Sequence, residues 1–148
     1  MRVLKGIYVL IIHVSSDVAV QVGALGRLTF KKGIYAYVGS AQNNLAKRVC
    51  RHLAKEKRKF WHIDYLLNSG ATRIATVFHK QAGKTEECKL AEFIGNRWEA
   101  VVGFGSSDCN CKSHLFQLES SSSLQELMSA NALSSFSLSS SCRPEIRK

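Results

Sequence analysis

The sequence predicts an α+β domain: a small, mainly antiparallel central sheet flanked by helices, with a disordered C-terminal tail. Three observations carry that reading. Apolar residues recur at strand period through the first forty positions, and the spacing turns helical at Leu45. The chain has 148 residues, enough for one real core and too few for two comfortable ones.

Taken in order, Arg2 and Lys5 precede the apolar run Gly6 to Ile12, a faint likeness to an export leader. The run is short and lacks a convincing small-residue cleavage pattern, so it reads as the first core strand. Ser15 to Asp17 turns the chain, Val18, Val20 and Val22 alternate as a strand, and Gly23 to Gly26 turns it again before Leu28 to Phe30. Ile34 to Val38 alternates once more, completing an expected meander of three or four antiparallel strands. A helix over 44–56 puts Leu45, Ala46, Val49, Cys50 and Leu53 on one arc and Arg48, Arg51, His52 and Lys55 on the next. Its end is strongly basic, with Lys55, Lys57, Arg58 and Lys59. A short helix spans His62 to Leu67, a strand Arg73 to His79, and a third helix Thr85 to Gly95 with Thr85 as its N-cap. Gly103 to Cys111 is turn-rich and His114 to Leu118 forms a last strand. From Glu119 serine dominates, and such sequence has too few apolar groups to offset the entropy of ordering it. The division is therefore 1–118 for the domain and 119–148 for a disordered tail, within which Leu124 to Leu133 fits a short amphipathic helix.

A net charge of +10 is high for this size and favours polyanionic partners, nucleic acid or an anionic surface. No stretch is long and apolar enough to span a bilayer, so no membrane role is expected and the cytoplasm is the default location. Five cysteines are an odd set, which points to reduced thiols or a metal site rather than a disulfide framework.

The densest chemistry lies in Gly33 to Leu53, where a strand presenting tyrosines runs into a helix presenting guanidinium and imidazole. Those groups suit a phosphodiester, since Arg neutralises phosphoryl charge while phenol and imidazole move protons. On charge pattern alone the same helix is an ordinary solvated face, and the tyrosines could simply pack a core edge. Tyr35 and Tyr37 share a strand face. His62 and Asp64, two apart on a helix, do not face one way.

Gly6-Ile7-Tyr8, Tyr37-Val38-Gly39, Arg48 and His52 resemble the GIY-YIG nuclease core. With Tyr35-Ala36-Tyr37-Val38-Gly39-Ser40-Ala41, Trp61-His62-Ile63-Asp64-Tyr65 and the Gly103 to His114 segment, the likeness extends over residues 5 to 118 and is nearest to the compact stand-alone Uri-type branch. The two triplets lie further apart than in the common layout, with the Val18 to Phe30 hairpin filling the gap. The resemblance implies a divalent-metal-dependent endonuclease acting on nucleic acid, DNA first. It implies Tyr8 or Tyr37 as base, with Tyr35 in reserve because Gly33-Ile34-Tyr35 is also a literal triplet. Arg48 is the implied phosphate clamp, His52 the proton shuttle or phosphate ligand, and Glu87, in Glu87-Cys88-Lys89-Leu90-Ala91, the ligand of one Mg2+ or Mn2+. Lys47, Arg51, Lys55, Lys57, Arg58 and Lys59 would track the backbone. The asparagine that relatives often carry after the glutamate has no secure counterpart, Asn96 being nearest. A non-catalytic nucleic-acid-binding module on the same scaffold is the alternative.

Cys109-x-Cys111-x-x-His114, with Cys88, has ligand types for a tetrahedral zinc, although the spacing is not that of a standard finger. Buried cysteines acting as small apolar residues in a tight turn are the preferred account. Asp108 is a further candidate for the active site.

Overall fold

The computed structural model describes residues 6–41, 44–53, 62–105, 111–119, 122–130 and 133–135. In chain order its elements are β1 (Gly6–Val14), β2 (Val18–Val22), β3 (Gly26–Phe30), β4 (Gly33–Ala41), α1 (Leu45–Leu53), α2 (His62–Leu67), β5 (Thr72–Lys80), α3 (Thr85–Gly95), β6 (Glu99–Ala100), β7 (Leu115–Leu118), α4 (Ser122–Ala130) and β8 (Ser134–Ser135).

β1 is apolar at nearly every position, the mark of a strand covered on both faces, and all of it except His13 is buried. β4 pairs along one side of it and β5 along the other, both antiparallel. The sheet order is β6-β7-β4-β1-β5-β8, with every pairing antiparallel. Strand alternation sorts its side chains into two cores. On one face Tyr8, Leu10, Ile12 and Val14 meet Leu45 and Val49 of α1 and Ile63 and Leu66 of α2. On the other, Ile7, Val9 and Ile11 meet Leu90, Ala91 and Ile94 of α3 together with Trp98 and Leu127. The result is the expected α+β arrangement, an antiparallel sheet between helices. No helix among the described residues is long and apolar enough to cross a membrane.

Several details differ from the sequence reading: the N-cap of α3, for one, is Lys84, with no side-chain capping bond, and Thr85 is already helical. Among the described residues β2 and β3 pair only with each other, around a single 3-10 turn at Gly23–Leu25, so the expected meander is interrupted and β1 pairs directly with β4. Each strand of that hairpin alternates between half-buried and exposed residues before a buried last one, so it has one side to cover. It lays Val22 and Phe30 onto the first core instead of joining the sheet, whereas β1 and β4 are apolar on both sides.

The ordered chain also passes the expected boundary at 118/119. Residues 122–130 form α4, Leu127 and Leu133 are buried in the second core, and β8 pairs with β5. The short helix was expected over Leu124 to Leu133, but its docking was not, because two leucines suffice to hold it against an existing apolar face. Residues 136–148 lie outside the described residues. Finally, Cys50, expected as a reduced thiol, is disulfide-bonded, while Cys88 and Cys111 are not in disulfides. An odd cysteine count disfavours a full framework but leaves room for one bridge.

Candidate active site

The register of β1 on β4 sets Tyr8 directly across from Gly39. A Cβ at residue 39 would stand 2.5 Å from the Tyr8 hydroxyl and ring, so glycine is required there for space, not for backbone freedom. The phenol lies over that bare backbone and points to α1, where its Oη is 2.7 Å from His52 Nε2. Tyr37, on the same face, presents its ring edge to the same imidazole, with centroids 6.2 Å apart. Phe104 holds Tyr37 from the other side and is itself seated between positive-φ Gly103 and Gly105. Tyr35 is turned elsewhere: its hydroxyl donates to the Lys31 carbonyl and its ring packs on Phe30. It does not join the cluster.

α1 begins where expected because Asn44 caps it, its Oδ1 accepting the Lys47 N–H at 3.0 Å. Leu45 and Val49 anchor the helix in the core, which sends Arg48 and His52, one turn apart, toward the tyrosines. Arg48 Nη1 donates to the Ser40 carbonyl at 2.9 Å, fixing the guanidinium at the end of β4. It also reaches the Tyr8 phenol. Burial raises the Tyr8 pKa above the ordinary tyrosine value, and the charge and hydrogen bond of Arg48 pull it part of the way back. Burial likewise holds Tyr37 well above its ordinary value, reinforced by Tyr8 and Glu87 and opposed by Arg48. Because a guanidinium can only donate, the Tyr8 oxygen accepts from Arg48, and the same hydroxyl shares a hydrogen bond with His52 Nε2.

Glu87 comes from α3, on the opposite face of the sheet. It still reaches this end of β4, because β7 stops at Leu115, opposite Tyr37, and leaves the flank beyond uncovered by a strand among the described residues. Ser40 Oγ donates to Glu87 Oε1 at 2.9 Å, so one serine joins the arginine through its carbonyl and the glutamate through its hydroxyl. Glu87 Oε2 lies 3.1 Å from His114 Nδ1, which is also 3.2 Å from the Val38 carbonyl. Each carboxylate oxygen thus meets one of these two partners and has a further lone pair to offer. That donor set fits a hard cation held by one carboxylate, with water and phosphate oxygens completing the shell.

Other anticipated residues fall in different places. Lys47 is exposed beside Arg48. Arg51, expected on the nucleic-acid surface, is instead spent on Asp64: Nη1 and Nη2 meet its two carboxylate oxygens at 2.9 and 3.0 Å, and Asp64 is wholly buried. A buried carboxylate needs a partner, and α1 supplies it to α2. His62 Nδ1 accepts the Gly105 N–H at 2.8 Å and its ring packs on Phe104, so it steadies the turn that holds Tyr37. Burial lowers its pKa, keeping it the neutral acceptor that this bond requires. Asn96 caps the far end of α3 from Glu87 and is exposed. Cys88, Cys111 and His114 do converge, their ligand atoms within 4.8 Å of one another. Lys55, Lys57, Arg58, Lys59, Asp108 and Cys109 lie outside the described residues.

Ser40 is the residue that sequence reasoning passed over. Its signal was a small polar residue immediately after the strand glycine, where both faces of β4 become reachable. His114 was noticed only as a thiol neighbour, though it faces Glu87. No curated protein and no solved structure matches this chain. One family model does, over residues 7–137, a span that includes α4 and β8. The chain accordingly belongs to the family described as a domain of unknown function, DUF123.

Proposed function

We propose that the protein is a divalent-metal-dependent endonuclease that hydrolyses nucleic-acid phosphodiesters, DNA first, on the plan of the compact stand-alone GIY-YIG proteins. The observation that carries this is the Tyr8 hydroxyl held between Arg48 and His52, with Glu87 joined to Arg48 through Ser40. These are the residues on which the resemblance rests, and they arrive from β1, β4, α1 and α3 at one strand end.

The chemistry follows from the geometry. Tyr8 takes a proton from the attacking water as the phenolate, a form that the Arg48 guanidinium favours, while His52 shuttles protons to and from its oxygen. Arg48 neutralises charge on the phosphoryl oxygens, a task its planar fork performs better than an ammonium. Glu87 would hold Mg2+ or Mn2+, which when bound supplies charge neutralisation at the phosphate and the leaving oxygen. Lys47, exposed at the start of α1, meets the backbone of the nucleic acid.

Branched, nicked and single-stranded DNA incubated with protein and Mg2+ or Mn2+ tests the proposal. Wild type cleaves at least one of them, and Tyr8→Phe cuts more slowly by roughly 10²–10⁴-fold while still binding. A second reading, a binding module without turnover, draws on the depth of the cluster, since Tyr8 and His52 are only 1% and 2% exposed. It predicts binding with no cleavage of any substrate under either metal.

A further inference from the structure

We propose that Cys88, Cys111 and His114 form a zinc site, separate from the cation held at Glu87, with Glu87 orienting the histidine. The three residues come from α3 and from the strand approach before β7, and their ligand atoms lie within 4.8 Å of one another. Two thiols and an imidazole are the ligand types that select zinc over the hard cations expected of a nuclease site.

The orientation of His114 supports this independently of the sulfur positions. Its Nδ1 faces two acceptors, the Glu87 carboxylate at 3.1 Å and the Val38 carbonyl at 3.2 Å. A carbonyl can only accept, so the proton sits on Nδ1 and the ring's lone pair on Nε2. A carboxylate behind a histidine in this way is the usual arrangement at zinc, where it fixes the tautomer and makes the ring a better ligand. The pair is protected, His114 being 2% exposed and Glu87 14%.

The thiols, by contrast, are reachable. Cys88 and Cys111 are half-buried and line a groove of about 740 Å³, together with Lys89, Glu92, Asn96 and Phe116. An ion could enter from that side, with the fourth position taken by solvent. The site would tie α3 to the segment that carries His114, and so hold Glu87 in place at the end of β4. Binding releases the two thiol protons, making the affinity rise with pH.

The experiment uses the full chain, stripped with chelator under reducing conditions and titrated with Zn2+ and, separately, Co2+. About one zinc binds per chain with tetrahedral thiolate ligation expected. Cobalt gives a thiolate charge-transfer band, and bound zinc shields Cys88 and Cys111 from alkylation in a peptide map. Cys88→Ser and Cys111→Ser each abolish the band, while Lys89→Ala on the same groove wall keeps it. The alkylation map on wild type decides the matter should either serine variant fail to fold. Absence of a cobalt band in wild type, or zinc that leaves both thiols as reactive as in the stripped protein, overturns the proposal. None of these readouts involves cleavage, so a catalytically silent protein would leave the result standing.

Discussion

Gly39 shows how a single residue sets the geometry of the candidate site. Its φ is not in the left-handed region, so alanine would fit the backbone, yet its Cβ would meet the Tyr8 hydroxyl at 2.5 Å. Gly39→Ala is therefore expected to displace the phenol from Arg48 and His52. Cleavage falls by roughly 10²-fold, the cost of misplacing a reacting group by about 1 Å, while the circular dichroism spectrum stays that of wild type. The tyrosine also sets a pH dependence. Burial raises its pKa above the ordinary value, so the base form stays a minority species at neutral pH and grows as pH rises. The single-turnover rate should climb by roughly tenfold per pH unit up to about pH 9 without a plateau. A plateau near neutrality would mean that the phenol is not the base. The convergence of Tyr8 and Arg48 was legible in the sequence because the motif pairs them. The turn of Tyr35 toward Lys31 was not, since alternation gives a face but not a neighbour along it.

Between elements, the Arg51–Asp64 pair does the joining that sequence reasoning assigned to nucleic acid. Asp64 is fully buried while Arg51 keeps 30% of its side chain exposed. Arg51→Ala leaves a buried carboxylate without its cation and should cost about 3 kcal/mol in urea unfolding, the low end of the range for such losses. Asp64→Asn in the same background should recover part of it. An unchanged midpoint would restore Arg51 to the nucleic-acid surface. α4 makes a comparable point about packing. Its serine-rich sequence reads as tail, but Leu127 is fully buried among Ile7, Val9 and Trp98 of the second core. Leu127→Ala is expected to lose about 2–4 kcal/mol, whereas a disordered tail would lose nothing. Strand and helix periods located α1, α2, β5 and α3 closely, because each has its own apolar stripe. They did not show that β2 and β3 leave the sheet, or that β8 joins it, since partner choice depends on which faces other segments have already covered.

At the scale of the molecule, the two faces of one antiparallel sheet carry different parts of the proposed machinery. Tyr8, Tyr37, Arg48 and His52 belong to one face, while Glu87 and His114 reach the same strand end from the other. The opening beside Ser40, where β7 stops, is what brings them together. Chemistry drawn from both faces cannot be read from spacing, which explains why Glu87 was found only through resemblance and Ser40 not at all. The net charge of +10 is a property of the whole chain and favours a polyanion without naming one. The central claim is that the guanidinium at the end of β4 acts on a phosphodiester. Single-turnover cleavage of labelled branched DNA in Mn2+ by wild type and Arg48→Ala, with binding measured alongside, tests it most directly. Wild type should cut and the variant should be slower by roughly 10²–10³-fold with most of its affinity kept. Equal rates from the two proteins, or no cutting by wild type on any substrate, would contradict the claim.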